Sequence, residues 1–340
     1  MAATHTRTDL PVLLLHDLDS TWAASDIEEA LRDVDRLTKG LQELGHPVTK
    51  VPLSNTELDA CLSEYDPDQH IVFNWCESLP GVPYSDVLVA QTLDAMGFTY
   101  TGSTAAVLAL SWNKGTVKGL LHQRGIPTPH WKIYTQARAI DWNCFPAIVK
   151  PAHEHCSYGV TPESVVLTPE ELCERIAYVL DVFHQPALVE DFIDGREFHV
   201  TVWGNGDMRV LPPAEMDFSA FLDVHDRLCT FDSKFCPGSL HYDRIQLRLP
   251  APLTEDKRRQ LEQTALAAYY ALGCRDYGRL DIRLRNDIFY VLDVNPNPDI
   301  SSETSTVYAA AEAGFSYQAM ASYLINLAAK RHPTFRRHWF

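Results

Sequence analysis

Positive charge is scarce in this chain: 29 lysines and arginines face 45 aspartates and glutamates, a formal charge of −16. Such a balance repels nucleic acid and acidic membrane surfaces, while a local basic pocket can still hold phosphates. Long apolar runs are lacking as well. No stretch is long and uncharged enough to span a bilayer, residues 1–10 have no apolar core of signal-peptide length, and the run at 12–15 ends at His16 and Asp17. The eight cysteines form no CxxC and stand at no ligand-like spacing from histidine. Reduced thiols, a cytoplasmic setting, no membrane and no nucleic-acid partner are therefore expected. Internal repeats and low-complexity segments are also missing, so the chain is not a solenoid or a linker.

What is present is enough apolar material, 46% of 340 residues, for a sizeable core spread over two or three domains. The first third alternates apolar runs (12–16, 48–52, 71–74) with helical patterns (27–44, 87–96), which reads as βαβ and hence a parallel sheet with helices on its faces. Gly45 falls where a left-handed C-cap ends the first helix. Further on, Thr168, Pro169 and Glu171 open a helix with an N-cap, a proline at the first position and a capping glutamate. Helices are also expected at 114–123, 254–272 and 315–330. Strands are expected at 147–150, 187–191, 198–203, 208–211, 278–284 and 289–294, with turns at 205–207 and 285–287.

The chemistry concentrates in GRLDIR (278–283) and FYVLDVNPNP (289–298). Strand alternation puts Arg279 and Asp281 on one face, and Asp293 and Asn295 on one face of the next strand. Two carboxylates and an amide oxygen can converge there, a hard donor set suited to Mg²⁺ with phosphates and water. An arginine beside them stabilises charge on a transferred phosphoryl group. A hairpin whose charged residues simply face water is the alternative for any one of them.

This pattern resembles the D-alanine:D-alanine ligase branch of the ATP-grasp family, over about residues 13–327. The resemblance implies an α/β fold: a doubly wound parallel-sheet domain (1–108) followed by two ATP-grasp subdomains that clasp ATP (109–186 and 187–332). It implies that Asp281, Asp293 and Asn295 hold two Mg²⁺ ions, with Mn²⁺ able to substitute, and that Arg279 contacts the transferred phosphate. YTGS (100–103) through SWNK (111–114) looks like the segment whose lysine, Lys114, reaches the ATP phosphates. VKPAHEHCSYG (149–159) resembles the phosphate-covering loop, with Lys150, Glu154 and Ser157 in matching places. LVEDFI (188–193) and GRE (195–197) look like the hinge segment, where Glu190, Asp191, Ile193 and Glu197 would meet adenine and ribose. Lys234 falls on a mobile loop over the site. Taken alone, Lys150 reads as a solvated rim residue, and the hinge segment as an edge strand and turn.

Substrate positions match less closely. The covering loop of the dipeptide ligases is rich in small residues, whereas this chain has His155 and Cys156. Phe235 stands for a tyrosine, and Asp299 for a glycine. Glu28 aligns with the glutamate that holds the first amino acid's ammonium group, but Ser25 to Glu28 also reads as a capping box. Asn74 and Glu77 lie at a strand's carboxyl end, where open α/β sheets bind ligands, or act as loop caps. Thr304 and Ser305 either hold the second substrate's carboxylate or cap the next helix.

The implied reaction is ATP-dependent joining of a carboxylate to an amine through an acyl phosphate, with small amino-acid-like substrates other than two D-alanines. A ligase for a non-amino-acid carboxylate or amine is the alternative, and a nucleotide-binding module without catalysis is a third reading. The resemblance also allows a homodimer.

Overall fold

The computed structural model describes residues 6–138 and 141–338. The first layer is a parallel sheet of order β2-β1-β3-β4, built from β1 (Val12–Asp17), β2 (Val48–Leu53), β3 (Ile71–Trp75) and β4 (Thr99–Tyr100). Its helices are α1 (Ala24–Leu44), α2 (Leu58–Leu62) and α3 (Asp86–Ala95). β1 is apolar on both faces because both are covered: Val12 and Leu14 pack with α1, Leu13 and Leu15 with α2 and α3. Gly45 stops α1 at φ 113°, a conformation that glycine adopts without strain.

After α4 (Ala105–Ser111) and α5 (Lys114–Gln123) comes a second sheet, antiparallel, of order β5-β8-β6-β7: β5 (Trp131–Tyr134), β6 (Ala147–Pro151), β7 (Val165–Val166) and β8 (Ala187–Asp191). It is backed by α6 (Pro169–Phe183), whose Thr168 cap accepts the Glu171 N–H at 3.2 Å. Glu171 reaches back one residue further than a capping box requires, to the Leu167 N–H at 2.7 Å. β8 thus belongs to the central sheet, beyond the boundary drawn at 186.

The third sheet runs β12-β11-β9-β13-β14, with β10 on β9. Its strands are β9 (Arg196–Trp203), β10 (Arg209–Val210), β11 (Ala214–Asp217), β12 (Gln246–Arg248), β13 (Tyr277–Arg285) and β14 (Ile288–Asn295). Short helices α7 (Asp232–Phe235) and α8 (Leu240–Arg244) lie in the connection between β11 and β12, and α9 (Glu255–Leu272) packs with α5 against one face. Two residues with left-handed φ, Asn286 and Asp287, turn β13 into β14.

The last helices, α10 (Ser305–Glu312) and α11 (Tyr317–Ala329), return to the first layer. Leu324, Ile325 and Ala328 join Leu37 and Leu41 of α1 in one buried cluster that also contains Trp203 and Tyr277 of the third sheet. The Trp203 ring lies 4.7 Å from Tyr323 and 4.9 Å from Phe315, centroid to centroid. The first and third sheets therefore share a core. No described helix is long and apolar enough to cross a membrane.

One expectation changes. Ser25 does not cap α1: the cap position is Ala23, with no side-chain hydrogen bond, and Ser25 donates to Asp26 at 3.0 Å. The helix starts earlier than its apolar stripe, which places Glu28 inside the first turns rather than in a capping box. Segments too short to show periodicity, α2, β4, β5, β7 and α7 among them, carry no sequence signal of their own.

Candidate functional site

The antiparallel register of the third sheet gathers the charged residues on one face. Arg279 pairs with Asn295 and Asp281 with Asp293 across β13 and β14. On the other side of β13, Asp281 lies opposite His199 and Arg283 opposite Glu197 of β9. The Arg279 guanidinium donates to both Asp281 oxygens, at 2.7 and 3.0 Å, and Asn295 Nδ2 to Asp281 at 3.2 Å. Lys114, at the start of α5, donates to Asp293 at 2.6 Å. Burial raises the Asp281 carboxyl, but Arg279 and His199 overrule it and hold it below the usual range. Asp293 is likewise pushed up by burial and brought well below by Lys114. Two ionised carboxylates and an amide oxygen, balanced by cations arriving from either side, form a hard oxygen donor set that fits Mg²⁺.

The central sheet supplies the opposite wall. Glu190 of β8 is buried between two ammonium groups, Lys118 Nζ at 2.5 Å and Lys150 Nζ at 3.0 Å. Burial acts to raise its carboxyl, and the two lysines hold it below the usual range. Lys118 also donates to Thr128 Oγ1 at 3.0 Å and to the Leu292 carbonyl at 3.1 Å, which ties this wall to β14. Asp191 is paired with Arg285.

The loop after β6 covers the mouth. Buried Glu154 accepts from Tyr84 at 3.0 Å and from Gln185 at 2.7 Å. Ser157 accepts from Lys234 of α7 at 2.9 Å, joining the covering loop to the segment expected to be mobile. Cys156 and Ser157 hold φ of 56° and 60°, the region where glycine is least costly. The departure from small residues in this loop is thus carried as backbone strain. His155, edge-on to Trp112 at 4.2 Å, is pushed down to about 4 by burial and then by Lys114, so its imidazole is neutral at pH 7.

Between these walls opens a cavity with an interior volume of about 100 Å³. Lys114, Lys150, Glu154, Ser157, Glu190, Asp191, Ile193, Glu197, Lys234, Asp281 and Asp293 line it. Arg279 and Asn295 reach its edge through Asp281.

The substrate candidates lie apart from this lining. Glu28 is exposed on α1. Asn74 is buried, with its Oδ1 accepting the Cys76 N–H at 3.3 Å, a loop-capping contact. Glu77 is open to solvent by its surface yet crowded by protein around the carboxyl. That loss of solvation, followed by the charges of Asp299, Asp17 and Asp86, raises it to about 8. Asp299 is held by the Ser301 N–H at 2.7 Å and hydroxyl at 2.9 Å. Thr304 donates to the Ser301 carbonyl at 3.1 Å and does not cap α10 with its side chain. Ser305 Oγ lies 3.1 Å from His199 Nδ1. The Cys156 thiol, exposed at its surface yet crowded by protein, is raised by that loss of solvation and by Glu77 and also feels Lys234, Arg279 and Asp299, so the covering loop bridges the two groups of residues. The side chain of Phe235 lies outside the described residues.

Reading the sequence missed Lys118, His199, Arg283 and Cys229. Arg283 is buried and bonds Glu197 at 2.7 Å and the Ile193 carbonyl at 2.9 Å. Alternation contained the signal for two of them: Glu197 implies His199 on the same face of β9, and Arg279 and Asp281 imply Arg283. Lys118 and Cys229 had none.

Residues 120–326 match the family model described as D-ala D-ala ligase C-terminus. The chain is 32% identical over 310 residues to the uncharacterized protein y4sG of Sinorhizobium fredii, covering 88% of each. It is 32% identical to the D-alanine–D-alanine ligase of Nitratidesulfovibrio vulgaris, over 90% of this chain and 95% of that one. Against the structure of the D-alanine–D-alanine ligase from Bacillus anthracis complexed with ATP, the TM-score is 0.73 at 19% identity, covering 95% of this chain and 98% of that one. That last likeness bears on the fold.

Proposed function

The chain belongs to the D-alanine–D-alanine ligase family of ATP-grasp enzymes, ligases that form carbon–nitrogen bonds, and we propose that it joins two amino acids or amino-acid-like molecules other than a pair of D-alanines. The observation that carries this reading is the grid of Arg279, Asp281, Asp293 and Asn295 on one sheet face, met by Lys114 from across the cavity.

ATP with a divalent metal supplies the γ-phosphoryl group that turns a carboxylate into an acyl phosphate with a good leaving group. Asp281, Asp293 and Asn295 are assigned to two Mg²⁺ ions, which Mn²⁺ can replace. Lys114 and Lys150 neutralise phosphate charge, and Glu190, Asp191, Ile193 and Glu197 line the adenosine end of the cavity. Arg279 stabilises the oxyanion as the amine attacks. Lys234, Ser157 and Glu154 keep the covering loop over the site, where water would destroy the acyl phosphate. On the substrate side, Glu77, Asp299, Asn74, Thr304 and Ser305 contact the reacting amino acids.

Altered specificity is supported by Asp299 in a glycine's place and by its repulsion of Glu77, which puts two carboxyl groups where a pair of D-alanines needs none. The test is phosphate release from ATP with paired amino acids. Full-rate release with D-alanine alone overturns the specificity, and no release with any pair overturns the reaction. Glu28, exposed on α1, favours a second reading in which the first substrate is not an amino acid, since its ammonium group would have no partner. Wild-type rates in Glu28→Ala support that reading. A division at 1–108, 109–186 and 187–332, with the strand at 187–191 crossing that second boundary to pair in the central sheet, a cytoplasmic setting and a homodimer belong to the same proposal.

A further inference from the structure

Glu197, His199 and Cys229 bring one carboxylate oxygen, one imidazole nitrogen and one sulfur within 4.8 Å of one another. Glu197 and His199 are buried, and Cys229 is half-buried. His199 Nε2 stands 3.7 Å from Glu197 Oε1 and 3.9 Å from Asp281 Oδ1. Those gaps are too long for hydrogen bonds. The 3.7 Å gap between His199 and Glu197 is close to that between two ligands of one tetrahedral ion, whose bonds of about 2.1 Å set ligand atoms roughly 3.4 Å apart.

Each ligand is also oriented from behind. Ser305 Oγ meets His199 Nδ1 at 3.1 Å, which turns Nε2 inward. Arg283 takes Glu197 Oε2 at 2.7 Å, which leaves Oε1 free. Outer partners of this kind fix the ligands of metal sites. A thiol and an imidazole beside one carboxylate select a borderline-soft ion over Mg²⁺, whose oxygen ligands lie on the neighbouring strand positions.

We propose that Glu197, His199 and Cys229 form a second metal site, which takes Zn²⁺ or an ion of similar softness and, once filled, blocks the nucleotide. The blocking half rests on the proposed function, because all three residues line the cavity assigned there to adenosine. As sulfur binds the ion, the thiol proton leaves to solvent. Free zinc then acts as an inhibitor competing with ATP, at residues distinct from the magnesium ligands.

The experiment titrates full-length, metal-stripped protein with Co²⁺ in the absence of nucleotide and reads the thiolate-to-cobalt charge-transfer band. One equivalent is expected to saturate the band. Cys229→Ser is expected to abolish it. His199→Gln is expected to weaken binding at least about tenfold, since losing a ligand costs no less than losing an outer partner. A missing band overturns the site, as does a band unchanged in either variant that melts like the stripped wild type. Adenosine, which has no phosphates to chelate cobalt, is then added and is expected to reduce the band. If adenosine binds the stripped protein but leaves the band intact, the blocking half falls. If adenosine does not bind the stripped protein at all, the nucleotide reading fails while the cobalt result stands.

Discussion

Lys114 and Asp293 are 179 residues apart in the chain, and the ammonium of one lies 2.6 Å from the carboxylate of the other. The contact joins α5 to β14 and keeps a half-buried acid ionised before any metal arrives. Asp293→Asn removes a charged oxygen from the proposed magnesium set. A loss of about 100-fold in kcat/KM, on the order of 3 kcal/mol, is expected, together with a higher magnesium requirement. Phosphate release measured against Mg²⁺ concentration checks both, and an unchanged magnesium dependence counts against the assignment.

Lys118→Met leaves the buried Glu190 carboxylate with Lys150 alone. Breaking one side of a buried ion network costs about 3–5 kcal/mol, because the remaining charge is uncompensated. Urea melts of Lys118→Met are expected to show a loss of that order, and Lys118→Met with Glu190→Gln is expected to recover part of it. Losses in Lys118→Met and Glu190→Gln alone that sum to the loss in the double variant would show that the two residues do not interact energetically.

Lys234→Met breaks the contact between α7 and Ser157 in the covering loop. A cover that closes less tightly admits water to a reactive intermediate. The ratio of phosphate released to amide formed is expected to rise above one in this variant and to stay at one in the wild type. Parallel phosphate and product assays decide it.

Asp17 carries a proton more tightly in the folded protein than in the unfolded chain: burial raises its carboxyl from 3.8 to about 6. Between those values the folded state binds more protons, so this group's contribution favours folding at low pH and is lost as pH rises through about 6. Asp17→Asn is therefore expected to be more stable than the wild type at pH 7.5, by on the order of 2 kcal/mol. The difference should vanish below pH 4. Denaturant melts across that range test the sign, and a variant less stable at pH 7.5 contradicts it.

How far the site was legible follows from periodicity. Alternation along 278–284 and 289–294 fixed which side chains share a face, and the register of Arg279 with Asn295 and Asp281 with Asp293 agrees. The helix at 114–123 was readable as a helix-like stretch, and Asn113 caps it by accepting the Thr116 N–H at 2.9 Å. Lys118 was not readable, because its meaning lies in Glu190, which reaches it only after the central sheet forms. Cys229 belongs to an irregular connection with no period at all. The Ser25 capping box was misread because α1 begins at Ala24, ahead of the apolar stripe that marks it in the sequence, and its first turns are not buried.

The shared core around Trp203, Tyr323 and the α1 stripe has a mechanical consequence. Arg331 reinforces it by bonding both Asp276, next to β13, and the Tyr100 backbone of the first sheet. Beginning and end of the chain are welded into one block. Any movement that admits reactants or discharges product is therefore expected between this block and the central sheet with its covering loop, which are held to it by side-chain contacts such as Lys118 to Leu292 and Arg285 to Asp191.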